Sequence, residues 1–156
     1  MISDNEMMLR IFVSFILSGL IGLERQVCRH QAGLRTHILV CLGSTLIMLT
    51  SLHVFDIYKS VASVDPTRIA AGVITGIGFL GAGTILRSPE GIRGLTTASS
   101  LWVVAALGLS IGCGFFKVSI FVTILVLLVL LFLRRLESSL LKKEVPHGHK
   151  RQEEGE

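Results

Sequence analysis

The residues of this chain that could do chemistry lie in three short polar segments: GLERQ at 22–26, AGLRTH at 32–37 and GIRGLTT at 91–97. Together they hold Glu24, Arg25, Arg35, Thr36, His37, Arg93, Thr96 and Thr97. A carboxylate near a membrane interface needs basic partners, and Arg35 or Arg93 could supply them bidentately to Glu24. Two readings stand side by side. In one, the arginines anchor helix ends and the threonines cap them. In the other, helix N-termini, hydroxyls and guanidinium groups converge on an anion or on a partner's acidic segment.

Catalytic chemistry has less to work with. There is no Ser/His/Asp arrangement, no phosphate-binding loop and no HExxH pair, and the run GIGFLGAG sits in apolar sequence, where a dinucleotide fingerprint does not belong. The chain reads as a non-enzyme with no resident cofactor and no metal centre. His147 and His149, two histidines in a polar tail, do not make a specific metal site. Asp4, Glu6, Asp56 and Asp65 are scattered acids that could attract Mg2+, an ion that prefers carboxylate and water oxygens. Cys28, Cys41 and Cys113 are odd in number and irregular in spacing, so neither a disulfide framework nor a zinc site follows.

The elements that must position these groups are membrane helices. Of the 156 residues 51% are hydrophobic and only 17% charged, with a mean hydropathy of +0.70, and a soluble domain carries about a quarter charged. Crossing the hydrocarbon takes about 20 helical residues. Five segments qualify, at about 7–23, 36–54, 68–86, 95–116 and 118–133, with a tight turn at Phe116 and Lys117 between the last two. The expected fold is therefore an all-α polytopic bundle over 1–135, followed at 136–156 by a charged tail too short to form a packed domain. Arg10, near the outer end of the first segment, is expected to snorkel to the interface. With no cleavage site after that segment, it should persist as a helix.

One set of loops and ends holds Arg25, Arg29, Arg35, Arg87, Arg93, Arg134, Arg135, Lys142, Lys143, Lys150 and Arg151, and the other holds Arg10, Lys59, Arg68 and Lys117. By the positive-inside rule the first set is cytoplasmic, with the N-terminus out and the C-terminus in.

Glycine marks the packing surfaces. Gly72, Gly76 and Gly83 fall on one stripe of the third segment, with Ala71, Thr75, Gly78 and Ala82 on a second stripe beside it; Gly81 belongs to the same run. Thr97, Ala98, Ala105, Gly108 and Gly112 share one face of the fourth. Small residues let helices approach closely in lipid, so the third helix is expected to be central, flanked by two neighbours, and Gly76→Leu should overpack it. The fifth segment, bulky throughout, should be peripheral. Asp65 and Pro66 read as the cap and first turn of the third helix.

GLERQ, AGLRTH, DPTRIAAGVITGIGFLGAGTI and GLTTASSLW, in that order and spacing, resemble the MgtC/SapB family over roughly residues 8–116. The resemblance implies a multi-pass bacterial inner-membrane protein linked to growth under magnesium limitation and, in pathogens, to survival inside macrophages. It also implies regulation of other membrane proteins, ATP synthase among them, alongside an older reading of the family as magnesium transporters. Mg2+ then enters as a ligand or a physiological signal. The expected partners are the bilayer, other membrane proteins and further copies of the chain, with no nucleic acid. The alternative is a small ion transporter or channel formed by an oligomer. Many members carry an ACT-like C-terminal domain that this sequence does not reach. The positions singled out by the resemblance are Glu24, Arg25, Arg35, Thr36, Asp65, Arg68, Gly78, Gly81, Gly83, Gly94, Thr96 and Thr97.

Overall fold

The computed structural model describes residues 2–89 and 91–133. These form five α-helices: α1 (Asp4–Val27), α2 (Leu34–Tyr58), α3 (Thr67–Thr84), α4 (Leu95–Gly112) and α5 (Phe116–Leu128), which continues as a π-helical turn, Val129–Leu133. A short antiparallel hairpin, β1 (Leu86–Ser88) and β2 (Gly91–Arg93), joins α3 to α4. The tail at 136–156, with its histidines, and the basic residues from Arg134 onward lie outside the described residues.

Three helices, α1 with 24 residues, α2 with 25 and α4 with 18, are long and apolar enough to cross a membrane. The bundle is also inside out by the standards of a soluble fold. Ser14, Ser18, Ser44, Thr45, Ser51, Ser100, Ser119 and Thr123 are buried, while Phe12, Phe15, Leu39, Leu46, Phe79, Phe121 and Phe132 face outward. The buried hydroxyls bond to helix carbonyls, as Ser18 does to Ser14 at 2.6 Å, Ser44 to Val40 at 2.9 Å and, between helices, Thr45 to Gly108 at 3.0 Å. Such an arrangement satisfies every polar group internally and leaves the apolar surface to lipid.

The core belongs to α1, α2 and α4, where Leu17, Ile21, Cys41, Val104, Leu107 and Ile111 meet. Gly108 and Gly112 make the α2–α4 seam. A Cβ on Gly108 would stand 2.5 Å from the Cys41 carbonyl oxygen, and one on Gly112 would stand 2.6 Å from Met48 Cβ.

The expectation of a central third helix does not hold. Only Ile77 and Gly81 of α3 are buried, and α3 rests against α4 through Gly81 and Ala98. A Cβ at Gly72, Gly76, Gly78 or Gly83 would meet nothing within 4 Å. Those glycines therefore do not make intramolecular helix contacts among the described residues, and α3 leans on the outside of the three-helix core. Glycine content reports that a close approach is available. It does not say which surface uses it.

The ends of the helices also differ from the hydropathy reading. α1 runs four residues past position 23 and closes in a Schellman motif, with the His30 amide donating to the Arg25 carbonyl, the Arg29 amide donating to Gln26, and Arg29 in the left-handed region at φ 56°. α4 ends at Gly112 by the same device, with Gly114 at φ 87°, so Phe116 and Lys117 form the first turn of α5 and the tight turn lies at 113–115.

Arg10 does not snorkel outward. It is buried, paired with Glu6 one turn earlier, and its Nη1 donates to the Gly112 carbonyl at 2.5 Å. A cation at the C-terminus of α4 satisfies a carbonyl that the helix leaves open and complements the helix dipole. That contact ties α1 to the α4–α5 turn.

Candidate functional site

Because α1 ends where α2 begins, and α3 ends where α4 begins, the three polar segments gather at one end of the bundle. The joint is His37, fully buried in the first turn of α2. Its Nδ1 faces the Gly33 carbonyl at 2.9 Å and therefore carries a proton, and its Nε2 meets the Ser100 hydroxyl of α4 at 3.1 Å. The Ser100 hydroxyl also lies 2.8 Å from the Thr97 carbonyl, so His37, Ser100 and Thr97 lock the starts of α2 and α4 together. Gly22 lets α1 join them, since a Cβ there would stand 2.9 Å from Leu34 Cα and 3.0 Å from His37 Cβ.

Glu24 and Arg25 are both buried beside this joint. The expected partners, Arg35 or Arg93, are not what grips the carboxylate. Arg25 takes both oxygens, with Nε on Oε2 and Nη2 on Oε1 at 2.8 Å, and the Cys28 thiol donates to Oε1 at 3.2 Å. Neighbours in sequence can close this pair because the Arg25 side chain folds back along its own helix. A buried carboxylate held by a guanidinium fork and a thiol is electrostatically closed, and removing either charge would leave the other stranded.

The rest of the predicted cluster forms a rim. Thr97 is buried, while Arg35, Thr36, Arg93 and Thr96 are exposed on or beside the first turns of α2 and α4. Gly94, at φ 93°, lets α4 start against the end of α3, because a Cβ there would collide with the Thr84 carbonyl oxygen. Asp65 and Arg68 lie apart from the rim, at the N-terminus of α3. There the Asp65 carboxylate accepts from the Thr67 amide at 2.8 Å and the Thr67 hydroxyl at 2.7 Å, and these bonds hold its acidity below the ordinary carboxylate range.

Three contributors were missed from sequence. Ser100 stands within GLTTASSLW, and the signal available was a serine one turn after Thr97. Gln26, whose Oε1 accepts from the Leu34 amide at 3.3 Å, caps α2, which has no side-chain cap of its own. Arg10 could have been read from its i, i+4 spacing with Glu6. Among the described residues no group of three or more His, Cys, Asp or Glu side chains could hold a metal ion.

A bundle with hydroxyls inside, aromatics outside and three spanning helices is a multi-pass membrane protein, and its polar end is a closed joint with a basic rim. The chain belongs to the MgtC family, whose model matches residues 11–139. It is 44% identical over 140 residues to the Escherichia coli K12 protein named "Putative magnesium transporter YhiD", covering 88% of this chain and 65% of that protein. It is 40% identical over 126 residues to "Protein MgtC" of Salmonella typhimurium LT2, covering 81% of this chain and 52% of MgtC. An uncharacterized Synechocystis protein, slr0014, is 40% identical over 134 residues, or 86% of this chain and 55% of its own length. The chain thus spans between about half and two thirds of the curated relatives it matches. No solved structure matches it.

Proposed function

We propose that this chain is a non-catalytic protein of the bacterial inner membrane that serves magnesium homeostasis by regulating other membrane proteins, its basic rim facing the cytoplasm. The observation that carries this reading is the uncovered side of α3. Gly72 and Gly76 line an open apolar groove of about 680 Å3 between α2 and α3, with Leu39, Gly43, Ile47 and Ile69 on its walls. Small residues left open to lipid beside bulky walls suit a helix from another protein. An ATP synthase subunit is one such partner by family resemblance. The link to magnesium rests on the family and on the name of the YhiD relative.

A second reading, an oligomeric Mg2+ transporter, is favoured by that same name and by the groove itself, which a second copy could fill. Mg2+ flux into proteoliposomes separates the two. The expected result is no flux above empty vesicles, from folded protein, together with failure of Gly76→Leu to restore growth of a deletion strain at limiting Mg2+. Saturable Mg2+ flux, abolished in Glu24→Gln, would overturn the regulatory reading in favour of transport.

A further inference from the structure

The geometry points to the α3–α4 hairpin as an upright anchor that binds the anionic headgroups of the bilayer through Arg87 and Arg93. The hairpin leaves the bundle at a single pinched point, where Gly94 brings the start of α4 against the Thr84 carbonyl, so both strands begin within two residues of a helix end. Three strand residues rise about 10 Å. The layer between hydrocarbon and water is about 5 to 8 Å deep on each side of a bilayer. Most of the hairpin is therefore held inside that layer by its connection to the helices.

Its side chains match such a layer. Residues opposite each other in an antiparallel ladder share a face, so the pairing Leu86↔Arg93 and Arg87↔Ile92 gives each face one aliphatic group and one guanidinium. Leu86 is 54% exposed and Ile92 59%, and Arg87 and Arg93 are exposed as well. A hairpin lying flat on oil or on a protein surface would separate apolar and charged faces. One standing in headgroups needs both on both sides, with aliphatic tips toward the acyl chains and guanidinium groups on phosphates. An isolated two-stranded hairpin is also barely stable in water, and the interface supplies the missing cover. Arg29 and Arg35 are exposed at the same end, which the His37–Ser100 bond fixes as the end from which the hairpin leaves, so the basic rim adds attraction for anionic lipid.

The test places a reporter in the hairpin of the full chain. Trp102 is the only tryptophan, so Trp102→Phe with Ile92→Trp gives one emitter, read by lipids brominated near the headgroup. Quenching is expected to be at least twofold stronger in phosphatidylglycerol vesicles than in phosphatidylcholine vesicles. It should fall to the phosphatidylcholine level in Arg87→Gln/Arg93→Gln and persist in Arg87→Lys/Arg93→Lys, with helix content by circular dichroism unchanged throughout. Equal quenching in the two lipids would overturn the anchor, as would a glutamine double variant that behaves like the parent. Shielding that vanishes on diluting the protein in lipid, whatever the headgroup, would assign the hairpin to a second copy instead.

Discussion

The α2–α4 seam and the α2–α3 groove are built from the same residue type and behave as opposites. At the seam, Gly108 and Gly112 are in contact with the backbone and Met48 of α2, and a methyl group would have no room. Along the groove, Gly43, Gly72 and Gly76 have nothing within 4 Å of an added Cβ. The seam uses its glycines to hold the chain's own fold together, whereas the groove keeps its glycines open to whatever shares the membrane. Stability and recognition are thus assigned to different helices. A protein that docks partners through α3 can do so without disturbing the α1, α2 and α4 core.

The largest effect that would break this contrast is expected at the seam. Gly108→Leu must push the α2 backbone away at Cys41, since a carbonyl oxygen 2.5 Å from the new Cβ cannot swing aside as a flexible side chain would. Overpacking of this kind should cost about 3 kcal/mol or more. Thermal unfolding of the purified protein in detergent reads it, and an unchanged midpoint would mean that the seam is looser than drawn. One step smaller is Ser100→Ala, which strips His37 Nε2 of its hydroxyl in a fully buried setting. An orphaned buried polar group costs about 1 to 3 kcal/mol, measurable in the same melt, with Ser99→Ala on the exposed face as the silent control.

How much of this was legible in the sequence follows from what each signal reports. Hydropathy located five helices because lipid burial acts on each segment separately. It missed the ends of α1 because Glu24 and Arg25 look like loop residues until they neutralise each other on the helix. Motif spacing brought 22–26, 32–37 and 91–97 to one end correctly, but the partner of Glu24 was sought across the bundle when it stood next door. Arg10 was read as an interface residue because the acceptor that draws it inward, the Gly112 carbonyl, exists only once α4 has ended beside α1. The placement of α3 was the least legible, because a glycine stripe looks the same whether the surface it serves is in this chain or in another.

The groove sharpens the comparison from the other side. Gly76→Leu, which the sequence marks as an overpacking mutation, has open space in front of it and should leave the melting midpoint within about 0.5 kcal/mol of the parent. If it destabilises as Gly108→Leu does, a neighbour from another copy already fills the groove, and a concentration-dependent melt would reveal it.

The smallest effect concerns how α3 is held at its own start, since packing holds so little of it. Asp65 accepts two hydrogen bonds from Thr67, and its acidity lies below that of a free aspartate. A carboxyl with a depressed folded value contributes stability that is fully present above the unfolded value of about 4 and is lost as pH falls through the folded one. Lowering the pH below about 4 should therefore loosen the first turn of α3 while the α2–α4 seam, which has no exposed carboxylate in it, stays put. The Thr67 amide signal in an NMR titration should move with a midpoint below that of an unstructured aspartate, and Asp65→Asn should abolish the movement. A midpoint at the free value would show that the Thr67 bonds do not hold the helix start, leaving Gly81 against Ala98 and the hairpin as the attachments that position α3 beside its groove.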